Sequence, residues 1–161
     1  MADVAIRRAA RYDTRAMARL LNEIIATGGT TAKTDPVSAE EIAQLSAAPG
    51  AAWHVAESGG RLVGLQWVEP HAALPPGACD IATFVAQERA GLGIGSALFT
   101  ATRAAARRLG YAWINATIRA DNPVGLAYYQ SRGFRDWHLL EDVPLGDGTV
   151  VDKICKRFDL D

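Results

Sequence analysis

Residues 83–98 read TFVAQERAGLGIGSAL, from Thr83 to Leu98, and this stretch decides the fold. A β-capable run (Ile81, Thr83, Phe84, Val85) leads into Gly91, Gly93 and Gly95. Apolar residues then recur as Ile94, Leu98, Ala101, Ala105 and Leu109, the spacing of one helix face. The pattern is strand, glycine loop, helix. Glycines strip Cβ atoms from the backbone where the helix begins, so successive N–H groups point at one spot with the positive end of the helix dipole behind them. That arrangement suits a ligand carrying phosphate, although a tight packed turn also favours glycine. Two common nucleotide fingerprints are disfavoured. Ser96 stands where the dinucleotide pattern needs its third glycine, and the loop lacks the lysine of a P-loop.

Composition bounds the rest. The chain of 161 residues, 49% of them hydrophobic, suits one domain spanning residues 1–161 with a substantial core. Its net charge of -1 and lack of a basic tail give no electrostatic support for nucleic acid or a membrane surface as partner. No apolar run approaches the roughly 20 residues of a transmembrane helix. Two cysteines, Cys79 and Cys155, and the absence of a secretory leader favour buried reduced thiols and a cytoplasmic setting.

From the N-terminus, Val4–Arg7 predicts a short strand. Asp13 is a candidate cap for a helix carrying Met17, Leu20, Leu21, Ile24 and Ile25, which ends near Gly28-Gly29. Ser38-Ala39-Glu40-Glu41 is a capping box for a second, short helix. Trp53–Glu57 and Arg61–Val68 predict a hairpin across Ser58-Gly59-Gly60. The Pro-rich segment 70–79 predicts a loop, and the central strand runs from Asp80 to Val85. Beyond the glycine-loop helix, ended by Gly110, come a strand over 112–118, a helix from Asn122-Pro123 to Arg132, and an antiparallel pair, 134–140 with 150–158.

The stretch resembles motif A of the GCN5-related N-acetyltransferases (GNAT), a pyrophosphate loop of the form Gln/Arg-x-x-Gly-x-Gly/Ala. Aligned on Gly93 and Gly95, its first position falls on Ala90, a departure, with Arg89 one residue earlier as a substitute that could reach the pyrophosphate. Asn122–Phe134, NPVGLAYYQSRGF, is similar to the family's motif B: Asn122, Tyr129 and Gly133-Phe134 are in register. The resemblance implies an α/β fold, a mixed and mostly antiparallel sheet of about six or seven strands flanked by about four helices. In that fold the two central strands, here around Val85 and Asn115, splay apart. It implies acetyl-CoA as cosubstrate and no metal. The cofactor-binding residues it implies are the amides of Phe84 and Val85, the loop Arg89, Ala90, Gly91, Leu92, Gly93, Ile94, Gly95 and Ser96, and Asn122 with Tyr129. Thr30, Thr31 and Ala32 resemble the acceptor loop of the branch that acetylates phosphinothricin and amino-acid-like amines. A small-molecule amine is the expected acceptor, and a homodimer is a family-level expectation.

Acyl transfer to an amine needs a proton removed from the amine and one given to the thiolate. Tyr129 is the expected donor, because a phenol of pKa about 10 protonates a thiolate of pKa about 8.5 only slightly uphill. Tyr128 is out of register and reads as packing. An alkyl ammonium of pKa about 10.4 is neutral in about one molecule per 2,500 at pH 7, so a base or water chain is needed. Asp80 is the expected base, with Glu69 and His71 as alternatives. His54 and His138 read as structural, and so do the four tryptophans, all in strands. Asn122 reads as both N-cap and cofactor contact, and Gly125 as room beside the ligand. Neither cysteine sits in a nucleophile motif, which favours direct attack. A protein N-terminal or lysine acetyltransferase and a non-catalytic acyl-CoA sensor are the rival readings.

Overall fold

Local chemistry sets each boundary of the fold. The computed structural model describes residues 3–29, 31 and 33–161, so Thr30 and Ala32 of the expected acceptor loop lie outside the described residues. Strand β1 (Ala5–Arg8) leads through a 3-10 turn at Arg11–Asp13 into helix α1 (Thr14–Thr27), which stops at Gly28. Helix α2 (Ala39–Ser46) begins at the expected capping box, with Ser38 Oγ accepting from the Glu41 amide at 3.1 Å. Hairpin β2 (Ala52–Ser58) and β3 (Arg61–Glu69) turns through Gly59-Gly60, and β4 (Ala78–Val85) follows the proline-rich loop. Helix α3 (Ile94–Arg108), strand β5 (Trp113–Arg119), helix α4 (Pro123–Ser131) and the pair β6 (Arg135–Pro144) and β7 (Val150–Asp159) complete the order.

The seven strands form one sheet ordered β1-β2-β3-β4-β5-β7-β6. Every pairing is antiparallel except β4 with β5. Helix α1 covers one face with Met17, Leu20 and Leu21 against Trp53, Val55, Leu65, Trp67 and Phe84. Trp53 stacks on Trp67 at 4.0 Å, and Trp67 meets Phe84 at 5.3 Å. Burying a large apolar side chain contributes about 1.5–3 kcal/mol, so this row of rings anchors α1 over β2, β3 and β4. The other face carries α3 and α4, where Phe99, Tyr129 and Phe134 pack with Ile81, Ile114 and Ile118.

Four sequence expectations are corrected. Asp13 does not cap α1 through its side chain. Its carboxylate takes two hydrogen bonds from Arg7, at 2.8 and 2.9 Å, and one from the Ala10 amide. Ala78 and Cys79 belong to β4 rather than the loop, because they pair with Trp113 and Ile114. On α3 the buried face runs through Ile94, Leu98, Thr102 and Ala105, and Leu109 is exposed at the C-cap. Gly125 leaves no room for a ligand, since a Cβ there would lie 2.5 Å from Asn122 Nδ2. Its absent side chain lets Asn122 Oδ1 accept from the Gly125 amide at 3.0 Å and cap α4.

Candidate active site

The site is the place where the sheet opens. β4 pairs with β5 only over Ala78–Asp80, whereas its other edge stays paired with β3 from Asp80 to Val85. The Ala86 amide bonds Val63 O at 2.9 Å, which fixes the phase of the antiparallel ladder. By alternation Phe84 and Ala82 exchange their backbone bonds with Leu65 and Trp67, and Thr83 and Val85 turn their N–H and C=O groups into the gap. The Phe84 amide, expected in the gap, is therefore committed to β3. Thr83, absent from the sequence expectation, takes that place beside Val85.

The glycine turn stands at the open end of β4. Gly91 and Gly93 have φ of 79° and 82°, and a Cβ on either would meet nothing within 4 Å. The conformation requires glycine, and the space before these residues is clear. The Ala97 amide bonds Gly93 O, so α3 begins there. The amides of Ile94, Gly95 and Ser96 then have no carbonyl one turn earlier to meet. Ala90 and Leu92 are exposed on the same turn. Gly95 differs in kind: its Cβ would lie 2.6 Å from the Tyr128 ring, so close packing explains it. Arg132, which the sequence reading passed over, donates to Ser96 Oγ and brings a positive charge to this helix start. Arg89 Nη1 donates to Ser58 Oγ at 3.4 Å.

Both tyrosines of α4 enter one hydrogen-bonded network under the gap. Tyr128 Oη donates to Gly95 O at 2.7 Å and accepts from Gln66 Nε2 at 3.0 Å. Gln66 Nε2 also donates to Thr83 Oγ1 at 2.9 Å, which lies 2.7 Å from Tyr129 Oη. Burial raises the Tyr129 pKa well above that of a free phenol, and the Thr83 contact pulls it back in part. Tyr129 is thus firmly protonated, but it is a weaker acid than the near-matched phenol expected from sequence.

Asp80 lies across the sheet. Alternation puts its side chain, with Ala82 and Phe84, on the face opposite Thr83 and Val85. Asn115 Nδ2 donates to Asp80 Oδ1 at 2.9 Å, and Trp137 Nε1 donates to Asn115 Oδ1 at 2.8 Å. Burial raises the Asp80 pKa and outweighs the Asn115 bond and the nearby charges of His71 and Lys153. Glu69 pairs with Asp80 in the β3–β4 ladder, and His71 is exposed with Nδ1 accepting from the Ala73 amide. His54, buried in β2, has its pKa pushed down to about 4 by burial, with Arg8 and Arg108 adding to the effect. It lies outside the gap, and so does His138 on edge strand β6.

Val85, the glycine turn, Tyr129 and Asp80 border one opening, and Asn122 stands at the N-cap of the helix that carries Tyr129. Gln66, Thr83 and Arg132 join them without a role expected from sequence, and Asn115, expected only as the place where a strand splays, joins through its side chain. A signal existed for Gln66, the one uncharged polar side chain in the apolar run LVGLQWV, and for Asn115 within WINATI. Arg132 carried none, because helix-end arginines are common.

The sequence model of the acetyltransferase (GNAT) domain matches residues 49–136, more than half of the chain. The chain belongs to the GNAT acetyltransferase family. No curated protein gives a significant sequence match. Among solved structures it is similar to yncA of Salmonella typhimurium, determined with its cofactor acetyl-CoA, at 21% identity and TM-score 0.87 over 98% of this chain and 94% of that one. It is similar to a ribosomal-protein-alanine N-acetyltransferase from Brucella melitensis at 24% identity and TM-score 0.87, over 96% and 99% of the two chains. A phosphinothricin acetyltransferase from Sinorhizobium meliloti in complex with acetyl-CoA aligns at 22% identity and TM-score 0.83, over 97% and 88%. At these identities the likeness is one of fold.

Proposed function

We propose that the chain is an acetyl-CoA-dependent N-acetyltransferase acting on the primary amine of a small molecule, an amino acid or analogue, by direct attack. The observation carrying this reading is the gap between β4 and β5, with the Thr83 and Val85 amides inside it, Tyr129 at one face and Asp80 at the other. The residues fit the cofactor. Gly91 and Gly93 leave clear space, and the first-turn amides of α3 with Arg132 offer positive charge to a diphosphate. When bound, acetyl-CoA supplies an electrophilic thioester carbonyl and a thiol leaving group.

The chain's own groups divide the remaining work. The Val85 and Thr83 amides bind the acyl arm and orient it, pre-aimed because the strand has no partner there. Asn122, capping α4 beside Tyr129, completes the cofactor side. Asp80 accepts the amine proton at Oδ2, since Asn115 already occupies Oδ1. Its raised pKa makes it a stronger base than a solvated carboxylate. Tyr129 holds the proton destined for the leaving thiolate.

The neighbour named as a phosphinothricin acetyltransferase supports a small-molecule acceptor, and the Brucella neighbour supports a second reading, a protein N-terminus. A cytoplasmic setting and a homodimer belong to the same proposal. Buried free thiols at Cys79 and Cys155 support the first, and Trp137, Leu139 and Leu140 exposed on edge strand β6 support the second. Calorimetric titration with acetyl-CoA, followed by thiol release over a panel of amino acids, polyamines and short peptides, tests the proposal. Binding with turnover of amino acids is expected. Turnover of peptides alone would move the acceptor to protein termini, binding without turnover would make the domain a sensor, and no binding would overturn the whole reading.

A further inference from the structure

We infer that Thr83 is a positioning residue for Tyr129: fixed by Gln66, its hydroxyl donates to Tyr129 Oη and so turns the Tyr129 proton into the gap. The inference rests on Tyr129 being the proton donor and adds what controls that proton.

Hydrogen-bond donors around Gln66 set the direction. Gln66 is fully buried in β3, and its Nε2 gives one hydrogen to Thr83 Oγ1 at 2.9 Å and the other to Tyr128 Oη at 3.0 Å. Tyr128 passes its own hydrogen to Gly95 O at 2.7 Å, so its proton is committed to the start of α3 and is unavailable for chemistry. Thr83 Oγ1 already accepts from Gln66, and Tyr129 Oη, 2.7 Å away, is the partner left for its hydrogen. A Tyr129 phenolate can only accept, so the Thr83 hydrogen must face it once the proton has left, and a Thr83 that already donates needs no reorientation at that moment. The chain therefore runs Gln66 to Thr83 to Tyr129, with the Tyr129 hydrogen at its far end.

The direction matters for acidity. When Tyr129 gives up its proton, the O–H bond breaks, an S–H bond forms on the departing thiolate, and a phenolate remains until it is reprotonated from water. Tyr129 is buried, which disfavours that phenolate, and the Thr83 hydrogen bond is the contact that offsets burial. The two tyrosines of YYQ thus divide their roles through one glutamine. Tyr128 ties α4 to the glycine turn, and Tyr129 is left charged with a transferable proton.

The test uses the full chain. Thr83→Val keeps the shape and removes the hydroxyl, whereas Thr83→Ser restores it. With acetyl-CoA saturating and the fastest acceptor of the amine panel, Thr83→Val should lower kcat about tenfold to a hundredfold, the loss expected for a hydrogen bond to a charged group. The Kd for acetyl-CoA should stay within about threefold, and Thr83→Ser should recover most of kcat. In a Tyr129→Phe background Thr83→Val should change nothing further. Independently of turnover, the [13Cζ]tyrosine NMR signal of Tyr129, assigned by its loss in Tyr129→Phe, should move in Thr83→Val and return in Thr83→Ser. A silent Tyr129→Phe would overturn the acid assignment and this inference together. A strong Tyr129→Phe effect with an unmoved Tyr129 signal in Thr83→Val, or with equal Thr83→Val losses in both backgrounds, would overturn this inference and leave the acid assignment standing.

Discussion

Two aspartates of this chain sit in opposite circumstances. Asp13, at the corner where β1 meets α1, is 4% exposed, and its carboxylate takes three donors: both Arg7 terminal nitrogens and the Ala10 amide. Those contacts hold its pKa below the ordinary 3.8 despite burial. Asp80, at the gap, receives one neutral amide hydrogen from Asn115, and burial lifts its pKa above 3.8. The first carboxylate is satisfied and inert. The second is left wanting a proton, which lowers the stability of the fold but suits a base.

The comparison breaks most sharply at Asp80. Asp80→Asn should cut kcat for the acceptor about a hundredfold or more, while the Kd for acetyl-CoA is unchanged. Its stability should be equal to or above that of the parent at pH 7. The sign follows from linkage: as pH rises past 3.8 the unfolded chain's Asp80 ionises before the folded one, so this residue lowers folding stability above that pH, and the neutral amide removes the loss. A thermal melt of Asp80→Asn well below the parent at pH 7 would mean that Asp80 is a structural carboxylate like Asp13.

The glycine turn contains a second contrast of the same kind. Gly95→Ala places a methyl 2.6 Å from a Tyr128 ring that is pinned by hydrogen bonds to Gly95 O and Gln66. It should cost about 1–3 kcal/mol of stability, the range for overpacking. Gly93→Ala meets nothing within 4 Å but sits at φ 82°, so its cost in stability should be about 1 kcal/mol from the backbone alone. Its methyl enters the clear space before the helix start, and the affinity for acetyl-CoA should fall about tenfold. Denaturant midpoints and calorimetric Kd values for both variants check the division. Equal stability losses with equal affinities would erase it.

These contrasts show which parts of the molecule were legible in the sequence. The order of elements was legible because it rests on local signals: Ser38 and Glu41 at a helix start, Gly59-Gly60 at a hairpin, Asn122-Pro123 at α4. So was the family, carried by two short motifs whose spacing survives in this chain. The roles of single polar residues were not. Asp13 stands where a cap belongs, yet it turns to Arg7, six residues back across the β1–α1 corner. Gly95 looks like its loop companions, yet its need for glycine comes from Tyr128, far along the chain. Phe84 and Thr83 exchange places in the gap because the phase of the ladder is set by Val63 and Ala86. Each miss turns on a partner in another element of the fold, which composition and periodicity do not record.

The smallest expected effect lies at the satisfied corner. Asp13→Asn keeps the shape and removes the charge, so the Arg7 guanidinium, 28% exposed, loses a bidentate partner but retains Glu57 at 3.4 Å and access to water. The loss should be about 2 kcal/mol, in the range of charge-assisted hydrogen bonds, which for a chain of 161 residues lowers Tm by about 6 °C. Turnover should not change, because the groups that hold the Asp13 carboxylate are Arg7 and the Ala10 amide, at the β1–α1 corner rather than at the gap. The pH dependence has the opposite sign to that of Asp80. In the parent, the Asp13 contribution is present above pH 3.8 and lost as pH falls through its lowered folded pKa, whereas Asp13→Asn has nothing there to lose. Acid titrations of the two proteins should therefore converge as the parent's Asp13 takes its proton. A constant difference between them down to the lowest pH would assign the loss to packing rather than to the ion pair.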